Sequence, residues 1–242
     1  MTMFKVFVLR PGPVGLQLAD ALSTDRLNAM HAPTLVINKL EYAIPSATYH
    51  AVIFISPTAV IHSDKLHSEL TTLTSNVIAV GSGTAMKLDE AGIADVRIPD
   101  TYNSEGLLAM PELQQPAAKQ ILIVKGRGGR PLLRESLIEQ GASCETLDVY
   151  ERKPIHIDQS HWDWYWQGDC RRGVTAASIE TLSAFDEQRQ RYNAPFPDFI
   201  LAASDRIAEV ARSLGYTDVR TVGGAANHFF ITAMEDYLQA HD

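Results

Sequence analysis

GSGTAMKLDEAGIADVR (residues 81–97) and SDRIAEVARSLGYTDVR (204–220) align without a gap. Gly81 stands opposite Ser204, Ala85 opposite Ala208, Gly92 opposite Gly215, and Asp95-Val96-Arg97 opposite Asp218-Val219-Arg220. In the second copy Ile207, Ala208, Ala211 and Leu214 share one helix face at i, i+1, i+4 and i+7, and Gly215 stops the helix as a C-terminal glycine does. Each copy is preceded by an apolar strand ending in a small hydroxyl residue, VIFISPTAV at 52–60 and GVTAASIETL at 173–182. A solenoid would repeat its period more often. Two occurrences imply two similar α/β lobes.

Outward from the repeat, short apolar runs alternate with amphipathic stretches. They predict strands at 5–9, 34–37, 51–55, 77–80, 95–98, 121–124, 145–149, 173–176, 199–202 and 218–221. The Asn38–Pro45 region and the polar stretch from Pro154 through Gln159 read as linkers. If the chain crosses at both, one lobe is discontinuous, residues 1–36 plus 156–242, the other is 40–150, and 37–39 and 151–155 are the crossings. A simple division near residue 115 is the alternative. The WDWYW cluster at 162–166 reads as a helix packed on a sheet, with a ligand platform as the lesser alternative.

Composition narrows the function classes. The chain has 242 residues, 45% of them hydrophobic, and no apolar run of membrane-spanning length. A net charge of −8 argues against nucleic acid as the partner. Met1–Arg10 is already strand-like, so no signal peptide is expected and the location is expected to be cytoplasmic. Cys144 and Cys170 lack a CxxC spacing and obvious histidine partners, and the eight histidines show no HExxH. Neither a metal nor another cofactor is expected. No GxSxG elbow is present either.

In parallel sheets ligands bind beyond the carboxyl ends of the strands, where helix N-termini carry partial positive charge. The candidates cluster there. Ser56 before Pro57, Ser104 before Glu105, Ser178 and Ser204 read as N-caps at strand-to-helix turns. VKGRGGR (124–130) follows a strand and opens a helix, so that Lys125, Arg127, Arg130 and backbone N–H groups can cradle an anion. It is neither a Walker loop nor a dinucleotide fingerprint. Arg10, before Pro11-Gly12-Pro13, holds the corresponding place after the first strand. Tyr150 closes strand 145–149, with its hydroxyl directed towards an expected inter-lobe cleft; tyrosine, with an ordinary pKa of about 10, can donate a proton to a leaving hydroxyl.

The ordered set VLRPGP, VIFISPTAV, VGSGTA, Pro99 with YNSEGLL, ILIVKGRGGRPLL, VYER, VTAASIETL and AASDRIAEVARSLG resembles the uroporphyrinogen-III synthase family over almost the whole chain. Two positions depart from the family pattern: Thr58 stands where asparagine is common and Ser204 where many members have glycine. The resemblance implies two flavodoxin-like lobes, each a parallel sheet flanked by helices, joined by a pair of strands. It implies the substrate hydroxymethylbilane, whose carboxylates suit helix N-termini and basic side chains. The implied reaction is a cyclising loss of water through a spiro intermediate that inverts ring D. Tyr150 is then the hydroxyl-assisting donor, and Ser56, Ser82, Thr84, Ser178 and Ser204 contact substrate, with Arg10, Ser104, Lys125, Arg127 and Arg130 beside them. A monomer is expected, touching the preceding pathway enzyme at most transiently. The rival readings are a two-lobed binding or sensing protein without catalysis, and an α/β transferase that takes a phosphorylated substrate at the basic loop.

Overall fold

The structure, a computed structural model, describes residues 2–241. In chain order it contains β1 (Phe4–Val8), α1 (Gly12–Leu22), β2 (Leu27–His31), β3 (Leu35–Lys39), β4 (Ala51–Phe54), α2 (Pro57–Ile61), α3 (Asp64–His67), α4 (Leu70–Leu73), β5 (Val77–Ala79), α5 (Ser82–Glu90) and α6 (Ser104–Ala109). After a 3-10 turn at Pro111–Leu113 come β6 (Gln120–Gly126), α7 (Leu132–Glu139), β7 (Ser143–Pro154), α8 (Gln159–Trp166), β8 (Arg171–Ala176), α9 (Ile179–Arg191), β9 (Phe199–Ala202), α10 (Asp205–Ser213), β10 (Val219–Thr221) and α11 (Asn227–Gln239).

The chain forms two compact units, Met1–Ile37 with Lys153–Asp242, and Asn38–Arg152. The first holds a sheet ordered β2-β1-β8-β9-β10, in which all neighbours run parallel. Counted within this unit the order is 2-1-3-4-5, that of a flavodoxin-like sheet. The second sheet runs β5-β4-β6-β7 with β3 at the edge, and β5, β4, β6 and β7 are mutually parallel neighbours. It repeats the 2-1-3-4 order. Central strands are buried on both faces, as FILA in β9 and AVIF in β4 show, because helices cover both sides of a parallel sheet.

The repeated sequence is a repeated helix ending. After α5, Gly92 at φ +80° donates to Asp89 O (2.8 Å) and Ile93 N to Leu88 O (2.9 Å). After α10, Gly215 at φ +102° donates to Arg212 O (3.0 Å) and Tyr216 N to Ala211 O (3.2 Å). Both are Schellman closures, which need a left-handed residue and so favour glycine. Gly215→Ala is expected to cost about 1–3 kcal/mol, read as a lower denaturation midpoint; a Cβ there would also stand 3.3 Å from Phe196. An unchanged midpoint would refute the closure's role.

WDWYW lies in α8 and packs onto β1. Tyr165 stacks on Phe7 at 4.0 Å between ring centroids, and Trp162 stacks on Phe185 at 5.5 Å. Arg172 ties down the end of this segment by donating to the carbonyls of Tyr165, Trp166, Gly168 and Cys170.

Three expectations need correction. Residues 95–98 form no strand: Asp95 sits at φ 55°, which interrupts an extended run, and only Arg97 bridges to Ile78. Residues 27–31, which are not among the expected strands, form the edge strand β2. The strand expected at 145–149 continues to Pro154, so most of the 151–155 crossing is strand; sheet pairing uses the backbone and tolerates charged side chains where they are exposed.

Candidate active site

In a 2-1-3-4 sheet the switch point lies between the first and third strands. In the first unit that is between β1 and β8, and in the second between β4 and β6. Ser56 and Ser178 follow β4 and β8 respectively, and each caps its helix: Ser56 Oγ accepts from Ala59 N at 3.0 Å and Ser178 Oγ from Thr181 N at 3.2 Å. Ser204 is the exposed N-cap of α10, but its side chain makes no capping bond.

Arg10 follows β1 and is committed within its own unit. Its guanidinium donates to Ala225 O and approaches Asn227 Oδ1 at 3.4 Å, while Asn227 Nδ2 donates to Val14 O at 3.0 Å. Burial lowers the pKa of Arg10. It ties the turn before α11 to the start of α1.

The second unit brings candidates together in two groups. Ser104, Lys125 and Arg130 line a pocket of about 500 Å³, with Ile55, Val80 and Gly129. Lys125 donates to Gly128 O and lies 3.8 Å from Asp148, whereas Arg127 pairs with Glu151 at 3.0 Å. These carboxylates compete with an incoming anion. Arg130 and the glycines are exposed, with Gly128 and Gly129 at φ +77° and +85°. The loop runs directly into the N-terminus of α7, whose N-cap is Pro131.

The cap of α6 is Asn103, not Ser104: its Oδ1 accepts from Gly106 N at 2.7 Å, and Ser104 is the first helical residue. Asparagine caps at least as well as serine, and it sits one position earlier. Ser82 is likewise exposed at the first position of α5, after Gly81. Thr84 is 2% exposed and lies in the first turn of α5.

Tyr150 and Ser56 form the second group. Their hydroxyl oxygens are 3.3 Å apart, and Arg152 Nη2 donates to the Tyr150 oxygen at 2.9 Å. Tyr150 does not close its strand; it lies inside β7, 2% exposed, four residues before Pro154. A register irregularity brings it opposite Gly126, and a Cβ on Gly126 would come within 2.4 Å of its ring. Only glycine there leaves room for the aromatic ring. His62 closes the surround, with its ring centroid 5.9 Å from that of Tyr150. Burial, with the Lys39 charge, holds His62 below the ordinary imidazole value, so it stands there uncharged at neutral pH.

Arg152, Asn103 and His62 were missed in the sequence. Only Arg152 left a signal, two residues beyond Tyr150 and so on the same face of a strand. Among the described residues no three His, Cys, Asp or Glu side chains group as metal ligands, and no helix is long and apolar enough to cross a membrane.

Residues 17–222 match a family model described as uroporphyrinogen-III synthase HemD. Uroporphyrinogen-III synthase of Escherichia coli (strain K12) is 28% identical over 249 aligned residues, 95% of this chain and 99% of that one. The enzyme of the same name from Salmonella typhimurium is 34% identical over 161 residues; the chain spans just 65% of that protein's length, through 65% of its own. Two solved structures share the fold. The crystal structure of uroporphyrinogen-III synthetase from Helicobacter pylori 26695 has a TM-score of 0.65 at 14% identity over 98% of this chain and 100% of that one. A mutant uroporphyrinogen III synthase from the extremely thermophilic bacterium Thermus thermophilus has a TM-score of 0.59 at 15% identity over 98% and 99%. With the family model spanning most of its length, the chain belongs to the uroporphyrinogen-III synthase family.

Proposed function

We propose that this chain is itself a uroporphyrinogen-III synthase, converting hydroxymethylbilane to the cyclic isomer with ring D inverted. Family membership through residues 17–222 carries the reading. The working units are the lobes 1–36 with 156–242 and 40–150, and the enzyme acts as a cytoplasmic monomer, with transient contact to the enzyme that supplies the bilane.

Tyr150 is the proton donor. Its O–H bond breaks towards the terminal hydroxyl of the bilane, the C–O bond breaks with its electron pair on oxygen, and water leaves a cationic pyrrolic methylene for ring D to attack. Ser56 holds the phenolic hydroxyl in the resting state at 3.3 Å, and a substrate oxygen takes its place. The helix N-termini at Ser56, Ser82, Ser178 and Ser204, together with Ser104, Lys125, Arg127 and Arg130, receive carboxylates. Arg10 and Thr84 are the remaining substrate contacts in this reading.

Because the bilane also closes unaided to the unrearranged ring, the product isomer reports the function directly. Hydroxymethylbilane generated in situ, treated with the protein, oxidised and separated by chromatography is expected to give mainly uroporphyrin III. Mainly isomer I, as in the protein-free control, overturns the proposal in favour of a binding protein.

A further inference from the structure

Arg152 and Tyr150 are two residues apart in β7, so their side chains leave the strand on the same face. The guanidinium turns back along that face. Its carbon lies 5.3 Å from the Tyr150 ring centroid, and Nη2 reaches the phenolic oxygen at 2.9 Å. One contact covers the ring and the other fixes the hydroxyl, so the pair is set by two independent geometries.

Hydrogen-bond valence gives this arrangement a direction. Guanidinium is a donor only. The phenolic hydrogen therefore cannot face Arg152 and must point elsewhere. The other polar group at the oxygen is Ser56, whose own oxygen already accepts from Ala59 N. When Ser56 accepts, the hydrogen of Tyr150 is directed at the serine oxygen, and when Ser56 donates, the hydrogen lies away from both neighbours; a ligand oxygen that replaces the serine contact and accepts therefore takes the proton on the side away from Arg152.

Resting on the assignment of Tyr150 as donor in the proposed synthase, we infer that Arg152 is a positioning residue: it occupies the acceptor side of the phenol and so aims the proton at the departing hydroxyl. Arg152 need not touch substrate to do this. Its effect runs through Tyr150, which separates it from a residue that binds a carboxylate or merely stabilises the fold.

The test is a double-substitution cycle of Arg152→Met and Tyr150→Phe, read as kcat, KM and isomer ratio. Methionine keeps apolar bulk over the ring and removes every donor. Arg152→Met alone is expected to lower kcat about tenfold, the scale of one charge-assisted hydrogen bond, with KM changed less than about twofold. In the Tyr150→Phe background the same substitution is expected to change kcat no further, because the cycle subtracts whatever else Arg152 touches. Arg152→Lys, which keeps one charged donor, should recover part of the loss. A loss confined to KM, an equal loss in both backgrounds, or no loss at all overturns the inference while leaving an active wild-type synthase. A wild-type chain that forms no isomer III overturns the synthase reading, and this inference falls with it.

Discussion

Tyr150→Phe is expected to lower kcat about a hundredfold, the low end for loss of a general acid, while the residual product stays mainly isomer III. The ring keeps its place over Gly126, so the substitution removes one oxygen and little packing. It strips Arg152 of an acceptor and Ser56 of a partner, both at the protein surface or near it. Stability should therefore change by no more than about 1–2 kcal/mol, which a thermal melt checks independently. The isomer ratio should persist because ring D inversion depends on holding the bilane in one conformation, and many contacts share that task. Full activity in the phenylalanine variant would remove the acid assignment. A fall in activity accompanied by isomer I would instead make Tyr150 a group that holds the substrate.

Asp186→Ala is expected to destabilise the first unit by about 3–5 kcal/mol, the largest stability effect of any substitution considered for this chain. Asp186 is 2% exposed in the middle of α9 and accepts three hydrogen bonds. Its Oδ1 accepts from Arg189 Nε and the Tyr216 hydroxyl, each at 2.9 Å, with Arg189 Nη2 ion-paired to it at 2.8 Å, and its Oδ2 accepts from Gln190 Nε2 at 2.7 Å. Burial and the Asp186 contact push the Tyr216 pKa up, so this hydroxyl remains a donor at any physiological pH. Alanine leaves Arg189, itself 7% exposed, as a buried charge with its main partner gone. The cost arises from that orphaned charge more than from the lost attraction. Asp186→Leu combined with Arg189→Met should accordingly be far milder than Asp186→Ala alone. Urea unfolding followed by tryptophan fluorescence reads both, since Trp162 stacks on Phe185 next to Asp186. A single variant within about 1 kcal/mol of wild type would refute the argument.

Much of the fold was legible because its strands are buried on both faces and so stand out as apolar runs, and because Gly92 and Gly215 end two like helices at the same point of a repeated sequence. The unread parts are held by backbone pairing instead of apolar burial. LNAMH, the edge strand β2, fully buries only its first residue. The segment ERKP, beyond the end expected for the strand at residue 149, continues β7 with mostly charged side chains. That misreading hid Arg152, since its relation to Tyr150 exists only if both belong to one strand. At the site, the serines Ser56 and Ser178 were legible from the capping pattern, as their bonds to Ala59 N and Thr181 N show. The ion pairing of the glycine-rich loop was not, because Asp148 and Glu151 lie more than twenty residues downstream of Lys125 and Arg127 and meet them only through the β6–β7 ladder. Residue type identified which groups can hold an anion, but pairing across the sheet decides which remain available.

The placement of β1 bears on how the protein is made. β1 is an interior strand of its sheet, flanked by β2, which follows it at once, and by β8, which begins at Arg171. A chain leaving the ribosome therefore presents Phe4, Val6 and Val8 long before their second neighbour exists. At roughly 5–20 residues per second the interval is on the order of ten to thirty seconds, time in which the whole of Asn38–Arg152 is synthesised and can close its own sheet. β1 is thus made early and must wait for β8 to emerge, and during that wait it is a natural client for chaperones.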